Sequence, residues 1–327
     1  DVSWLSATYE IVIDGVVKRK GKLALTSLGA GNSKRIKAPS IRGLSGDIRL
    51  NIRWKTKRTE LWCDRGHVVA WDQLEVKSAR PKKILISKKM YEPQNIEPQL
   101  SLFRASIDND GFKLLPNLAW VETTTLKRWQ QQGIDAEVSQ LVKNQIKREV
   151  RADGSVRFEH SVVVPKTLDD LPRIGVSFPL PEGFTEISWW GNGPHECYPD
   201  RQSSAMMGIF SGQADELPYL VPQEYGLRTS CRWFEVSNPK TKEVIRIESD
   251  GAELHMSALP YTTQDLYQAA DQTELIKRPY LTMNIDVAHR GLGTASCGPD
   301  VLPQYRISAG KYQFSYVISR EFRGTNR

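Results

Sequence analysis

Short runs in which apolar and polar residues alternate, each closed by turn residues, recur along this chain and restrict its fold more than any other feature. Examples are TYEIVIDG at 8–15, GDIRLNIRWK at 46–55, HVVAWDQLEV at 67–76, GSVRFEHSVVV at 154–164, EVIRIES at 243–249, LHMSAL at 254–259, LTMNIDV at 281–287 and KYQFSYVI at 311–318. Successive side chains of a strand point to opposite faces, so each run reads as a half-buried antiparallel strand. Helical spacing is rare. The segment TLKRWQQQGIDAEVSQLVKNQ at 125–145 fits either type, and TTQDLYQAAD at 262–271 offers one short helix, with Thr262 as N-cap and Asp265 three residues on. The pattern predicts an all-β chain built from sandwiches.

With 327 residues, 39% of them hydrophobic, the chain can bury a sizeable core. A boundary falls in VKSARPKKI at 76–84. Residues 1–76 hold about four strands and fit an N-terminally incomplete immunoglobulin-like sandwich, while 77–327 fit one large sandwich. The opening DVSWLSATYE has neither an initiator methionine nor a basic and apolar leader, so Asp1 reads as a cut point within a longer protein. No apolar run is long enough to span a membrane as a helix. Cys63, Cys197, Cys231 and Cys297 are widely spaced and read as free thiols; four cysteines do not decide the compartment, with the cytoplasm favoured over periplasm or secretion.

The net charge of +7 is uneven, since residues 1–90 carry 20 Lys and Arg against 8 Asp and Glu. The basic runs KRKGK (18–22) and KTKR (55–58) fall where hairpin tips and solvated strand faces are expected, without a nucleic-acid-binding motif. They read as surface solvation, so neither nucleic acid nor membrane is an expected partner.

The chemistry-bearing residues concentrate in ISWWGNGPHECYPDRQSSA at 187–205. Glycoside hydrolysis needs two carboxyl groups across the scissile bond, and Glu196 with Glu224 is the pair to weigh. A lone glutamate in a Gly-Pro turn more often accepts backbone hydrogen bonds or pairs with an arginine, and Arg201 and Arg228 are at hand. His195 and His289 titrate in a range suited to proton transfer, but the five histidines show no metal-ligand spacing, so no metal site is expected. Trp189 and Trp190 must point to opposite faces of a strand, so at least one is core and the other is available to a sugar or a neighbouring domain.

Taken in order, four stretches resemble the C-terminal region of the large family 2 β-galactosidases: RGHVVAWDQLEV (65–76), FRASIDNDGF (103–112), WWGNGPHECYPDR with YLVPQEYGLRTSCRW (189–233), and LTMNIDVAHRGLGTASCGPDVLPQYRISAGKYQFSYVI (281–318). The resemblance implies the end of that family's immunoglobulin-like domain followed by its small-chain domain, a large antiparallel supersandwich similar to galactose mutarotases. It also implies that the catalytic glutamates lie on a (β/α)₈ barrel of about 250 residues, which cannot be fitted here. Neither Glu196 nor Glu224 then inherits a catalytic role. Trp190, Glu196, Asp200, Arg201, Glu224 and Arg228 become structural or interdomain candidates.

In that family a loop of this domain reaches the active-site mouth and offers a tryptophan to the substrate. Counting back from Ser308 to Gly310, its position here is Cys297, a departure that implies a different acceptor preference. His289, Arg290, Cys297 and Gly298 are therefore the substrate-rim candidates. The implied partners are the rest of a β-galactosidase polypeptide, a galactoside at the interface and further copies in an oligomer. The Mg²⁺ or Na⁺ used in the family belongs to domains outside this chain, so no cofactor is expected here. Two other readings compete: a stand-alone carbohydrate-binding or aldose-epimerase-like sandwich using His195 or His289 with Glu224, and a polyanion-binding module.

Overall fold

A computed structural model describes residues 1–24, 27–79, 96–114, 124–136, 142–215, 219–251, 253–293 and 300–324. The chain divides into two compact units, Asp1–Ile86 and Ser87–Arg327, and all strand pairing within them is antiparallel. The all-β expectation holds.

In the first unit β1 (Leu5–Ile13), β2 (Val16–Leu23), β3 (Ile48–Thr56) and β4 (Val68–Lys77) form one sheet in the order β2-β1-β3-β4. The β1–β2 hairpin turns on Asp14 and Gly15, both at positive φ (49° and 78°). That conformation is what a two-residue Asp-Gly turn supplies to right-twisted strands. Ile11, Ile13, Ile48 and Leu50 pack together on β1 and β3. Strand β2 is mostly exposed, which places Lys18, Arg19 and Lys20 of the basic run on a solvated edge.

In the second unit the elements are β5 (Gln99–Ser101), α1 (Thr125–Gln131), β6 (Lys143–Val150), β7 (Val156–Val164), β8 (Arg173–Pro179), β9 (Glu186–Gly193) and β10 (Met206–Gln213). They continue with β11 (Arg228–Cys231), β12 (Trp233–Ser237), β13 (Glu243–Ser249), β14 (Leu254–Leu259), α2 (Thr263–Gln268), β15 (Thr282–His289) and β16 (Gly310–Phe322). Two sheets result, a seven-stranded one in the order β10-β9-β12-β13-β16-β7-β6 and a five-stranded one in the order β11-β14-β15-β8-β5. Side chains from both, among them Phe158, Val162, Val176, Phe178, Met256 and Ile285, form one buried core. On β7 the alternation is strict: Val156, Phe158, His160, Val162 and Val164 turn inward while their neighbours do not.

The ambiguous segment 125–145 contains both types. Helix α1 begins at Thr124, whose side chain accepts from the Lys127 N–H, and ends where Gly133 takes a left-handed φ of 69°. A 3₁₀ turn (Ile134–Ala136) follows, and β6 opens at Lys143. The expected short helix is α2, with Thr262 and Asp265 in a reciprocal capping box.

Trp189 and Trp190 do take opposite faces, and both are buried. Trp189 joins the main core, whereas Trp190 packs with Met207 and Trp233. The expectation that one of the pair is offered to a sugar or a neighbouring domain is therefore corrected for Trp190, at 3% exposure: the adjacent strands of its own sheet cover it.

Candidate functional site

The motif residues do not form an open constellation of acids and bases. They converge on the short loop that leaves β15 at His289. Asn109 Nδ2 donates to the Leu292 carbonyl at 3.0 Å, and Asp200 accepts from the Leu292 and Gly293 N–H groups at 3.0 and 2.8 Å. A side chain at 291 would meet the Asp200 carboxylate at 2.6 Å, so glycine is what lets the loop lie against it. Residues 103–112, 193–201 and 289–293, far apart in sequence, thus meet in one place. We expect Asp200→Ala to cost about 2 kcal/mol, the scale of hydrogen bonds to a charged acceptor. Hydrogen exchange should show the Leu292 and Gly293 amides losing protection; unchanged protection would contradict this role.

Beneath the loop lies a buried charge network. Arg104, fully buried, grips Asp110 at 2.7 and 3.1 Å, and Asp110 also accepts the Ile107 N–H at 2.9 Å, closing the turn of FRASIDND. Arg290 donates to Asp170 at 2.7 and 2.9 Å and to Asp300 at 2.6 Å. Helix α1 contributes Arg128, which donates to Asp170 and Asp300, and Trp129, whose indole N–H donates to the Asp170 carbonyl at 2.7 Å. The Arg104 and Arg290 guanidinium carbons lie 5.3 and 5.8 Å from the Trp129 ring centroid, within cation–π range. Burial pushes the Asp300 carboxyl up, but the Arg290 hydrogen bond and charge, the Val301 N–H and Arg128 outweigh it and hold the group at about 2.

A second buried group adjoins it. Arg173 donates to Asp286 and to Asn284, and Asp286 and His289 both belong to β15. His289 Nδ1 lies 2.9 Å from the Arg290 carbonyl. Since a carbonyl only accepts, the neutral ring carries its proton there and turns the lone pair of Nε2 toward Glu224 Oε1, 3.7 Å away. Burial raises the Glu224 carboxyl to about 7, with Arg173 and Arg104 opposing; burial lowers His289 to about 3. At that distance no hydrogen bond joins them, and Nε2 is left without a partner.

His289 and Arg290, expected at a substrate rim, are exposed by only 4% and 1%. The correction has a plain cause: an arginine shared by two carboxylates and a neutral imidazole hydrogen-bonded to backbone are held inward, under the loop. Cys297 and Gly298 lie outside the described residues. Glu196 accepts from Arg201 at 2.6 Å, from the Gly226 N–H at 2.7 Å and from the Tyr219 hydroxyl, so it acts as a tie between segments. Asp200 and Arg201, adjacent in sequence, hold different segments, Asp200 the loop and Arg201 Glu196. Arg228 sits with its guanidinium 4.5 Å from the Trp189 ring and, with His195, Glu196, Tyr219 and Tyr225, lines a cleft of about 260 Å³. Glu224 is 7% exposed. Cys63, Cys197 and Cys231 are free, and no group of three metal-ligating side chains occurs among the described residues.

Reading the sequence for functional residues passed over Arg104, Asp170, Arg173 and Asp286. The available signal was a charge set inside an apolar run, as in LPRIGVSF and LTMNIDV. A charge on a buried strand requires a partner.

Comparison with known proteins agrees with the geometry. Residues 72–318 match the family described as the β-galactosidase small chain, and residues 1–77 match β-galactosidase domain 4. The chain is 27% identical to the β-galactosidase of Arthrobacter sp. (strain B7) over 86% of its own length and 34% of that protein's. It is 31% identical to the Vibrio cholerae β-galactosidase over 52% of its length and 16% of that protein's. With the Aeromonas hydrophila enzyme identity is 32% over 53% and 17% of the two chains. The chain therefore spans about a third or less of these relatives. Since the small-chain match alone takes in most of its residues, the chain belongs to the β-galactosidase family.

Proposed function

We propose that the chain is the non-catalytic part of a β-galactosidase acting on terminal β-D-galactosides. In this reading the segment from Gly291 to Asp300, with Cys297 and Gly298, shapes the active-site rim, and the sandwich packs on a catalytic barrel supplied by the rest of the polypeptide. The observation that carries it is the convergence of three motif segments on the base of that loop, through Asn109, Asp200 and Arg290. Such investment in holding a loop suits a segment that must be presented in one conformation to a partner surface. The state of the two candidate carboxylates supports the same view: Glu196 is tied to Arg201 and Gly226, and Glu224 is buried beside His289.

Purified chain is expected to leave nitrophenyl β-D-galactoside intact and to bind a β-galactosidase polypeptide truncated before its domain 4. Hydrolysis by the chain alone, or failure to associate, overturns the proposal. Acceleration of galactose anomer exchange in polarimetry would favour the epimerase reading instead.

A further inference from the structure

The last strands of the two sheets of the second unit, β5 and β6, border a groove of about 640 Å³, within the range of small-molecule sites, about 300–1,000 Å³. Its composition is unusual for this chain. A quarter of the sequence is charged, yet none of the described residues lining the groove carries a charge. Leu102, Phe103, Ile134, Val142 and Phe178, all buried, supply apolar wall. Around them stand amides and hydroxyls, among them Gln99, Ser101, Asn144, Thr263 and Gln264, with the half-buried ring of Tyr280.

Two lining groups hold polar atoms without a partner, Asn144 Oδ1 on β6 and Thr282 Oγ1 on β15. Both oxygens are shut off from solvent as the groove stands, and an unpaired buried oxygen costs free energy, so they gain a partner only if the groove opens around a ligand. Gln264 is oriented by its own bond, its Nε2 donating to the Asp135 carbonyl at 3.1 Å, which leaves the amide oxygen as an acceptor in a fixed place.

We propose that this groove binds a neutral oligosaccharide of two or three sugar units. A sugar ring has an apolar face that suits an aromatic ring or aliphatic wall, and an equatorial belt of hydroxyls that both donate and accept. Amides and hydroxyls satisfy both roles, as carboxylates or ammonium groups alone do not. The absence of charge sets the selectivity: an acidic sugar or a phosphate would lose its hydration with no cation to replace it. The groove's chemistry is independent of the proposed hydrolase role, and a test of one does not decide the other.

Saturation-transfer NMR on the whole chain, with lactose and galactotriose as probes and digalacturonic acid as the charged control, tests this. The neutral sugars should bind with the same affinity at low and high salt, and the acidic control should not bind. Tyr280→Ala and Gln264→Ala should each weaken binding by about fivefold or more, the loss of roughly one stacking contact or hydrogen bond, with melting temperature unchanged. Tyr280→Phe should keep most of the affinity. Failure of lactose and galactotriose to receive saturation overturns the proposal. Equal signals from the Ala variants do the same, as does self-association in sedimentation that buries the groove and excludes sugar.

Discussion

Replacing Arg290 with alanine is expected to destabilise the second unit by about 3–5 kcal/mol, the cost of removing one partner from a buried ion pair. Its side chain, 1% exposed, answers Asp170 and Asp300 directly and lies 3.7 Å from Asp110. Without it three carboxylates remain close together, with Arg104, Arg128 and Arg306 as their cations among the described residues. For a domain of this size the loss corresponds to a fall in melting temperature of roughly 10 °C, at about 2–4 °C per kcal/mol. Arg290→Lys should fall between, keeping the charge but not the fork that spans two acceptors. Arg201→Ala, which breaks a pair whose arginine side chain is 47% exposed, should cost no more than about 1 kcal/mol. Asp300 gives a second readout. With its carboxyl held at about 2, its contribution is whole above the ordinary aspartate range and is lost progressively as pH falls from there through about 2. In Arg290→Ala that contribution shrinks, and the variant, already less stable at neutral pH, reaches its acid unfolding midpoint at a higher pH. A variant as stable as the parent, with the same acid midpoint, would contradict this account of the network.

The fold was legible wherever one face of a strand is buried and the other solvated, because only then does the sequence alternate. On β7 five inward residues alternate with Arg157, Glu159, Ser161 and Val163, and the strand is plain from sequence. Strand β2 (VVKRKGKL) and β6 (KNQIKREV) escape that reading because they are edge strands, exposed along nearly their whole length. Charge there discourages pairing with other chains but erases the apolar face. Strand β9 escapes it for the opposite reason: Trp189 and Trp190 are buried on both of its faces.

The candidate site was legible in part. Resemblance to the family's motifs pointed to Asp200, Glu196 and the loop after His289, and the structure places Asp200 on that loop's backbone N–H groups. What spacing could not supply was pairing. The partners of Arg290 come from positions 110, 170 and 300, separations set by sheet topology and not by any local rule. The two rim candidates within the described residues turned out to be supports for the same reason, because a sequence does not say which side of a strand end faces the core.

Stability should also depend on pH with two flanks of different origin, and Glu224→Gln should remove one of them. Glu224, raised to about 7 by burial, keeps a proton in the native state that the unfolded chain surrenders from about 4.3 upward. The native state therefore binds more protons across that window, and its stability falls as pH climbs through it. The loss is complete above about 7 and is on the order of 3 kcal/mol, at about 1.4 kcal/mol per pKa unit. The buried histidines act in the other direction. Burial lowers His289 to about 3 and His160 and His255 to about 4, so below about 6.5 the unfolded chain takes up protons that the native state refuses. Burial sets both signs and the facing groups modify them: Arg104 and Arg173 favour the Glu224 anion and disfavour the imidazolium, Asp286 favours the imidazolium, and Glu196 opposes the Glu224 anion. His255, itself disfavoured as a cation by His289, feels Glu253 in the opposite sense. Three histidines outweigh one glutamate on the acid side, which places the maximum at about pH 6 to 7. Glutamine at 224 keeps the size and offers an N–H toward His289 Nε2, but has no proton to lose. Thermal denaturation from about pH 5 to about pH 9 should show the variant's stability climbing more steeply than the parent's between about pH 5 and about pH 7, with neither changing further through Glu224 above that and the acid flank present in both. Parallel curves would mean that Glu224 ionises in the native state like any exposed glutamate, and that burial does not hold its proton.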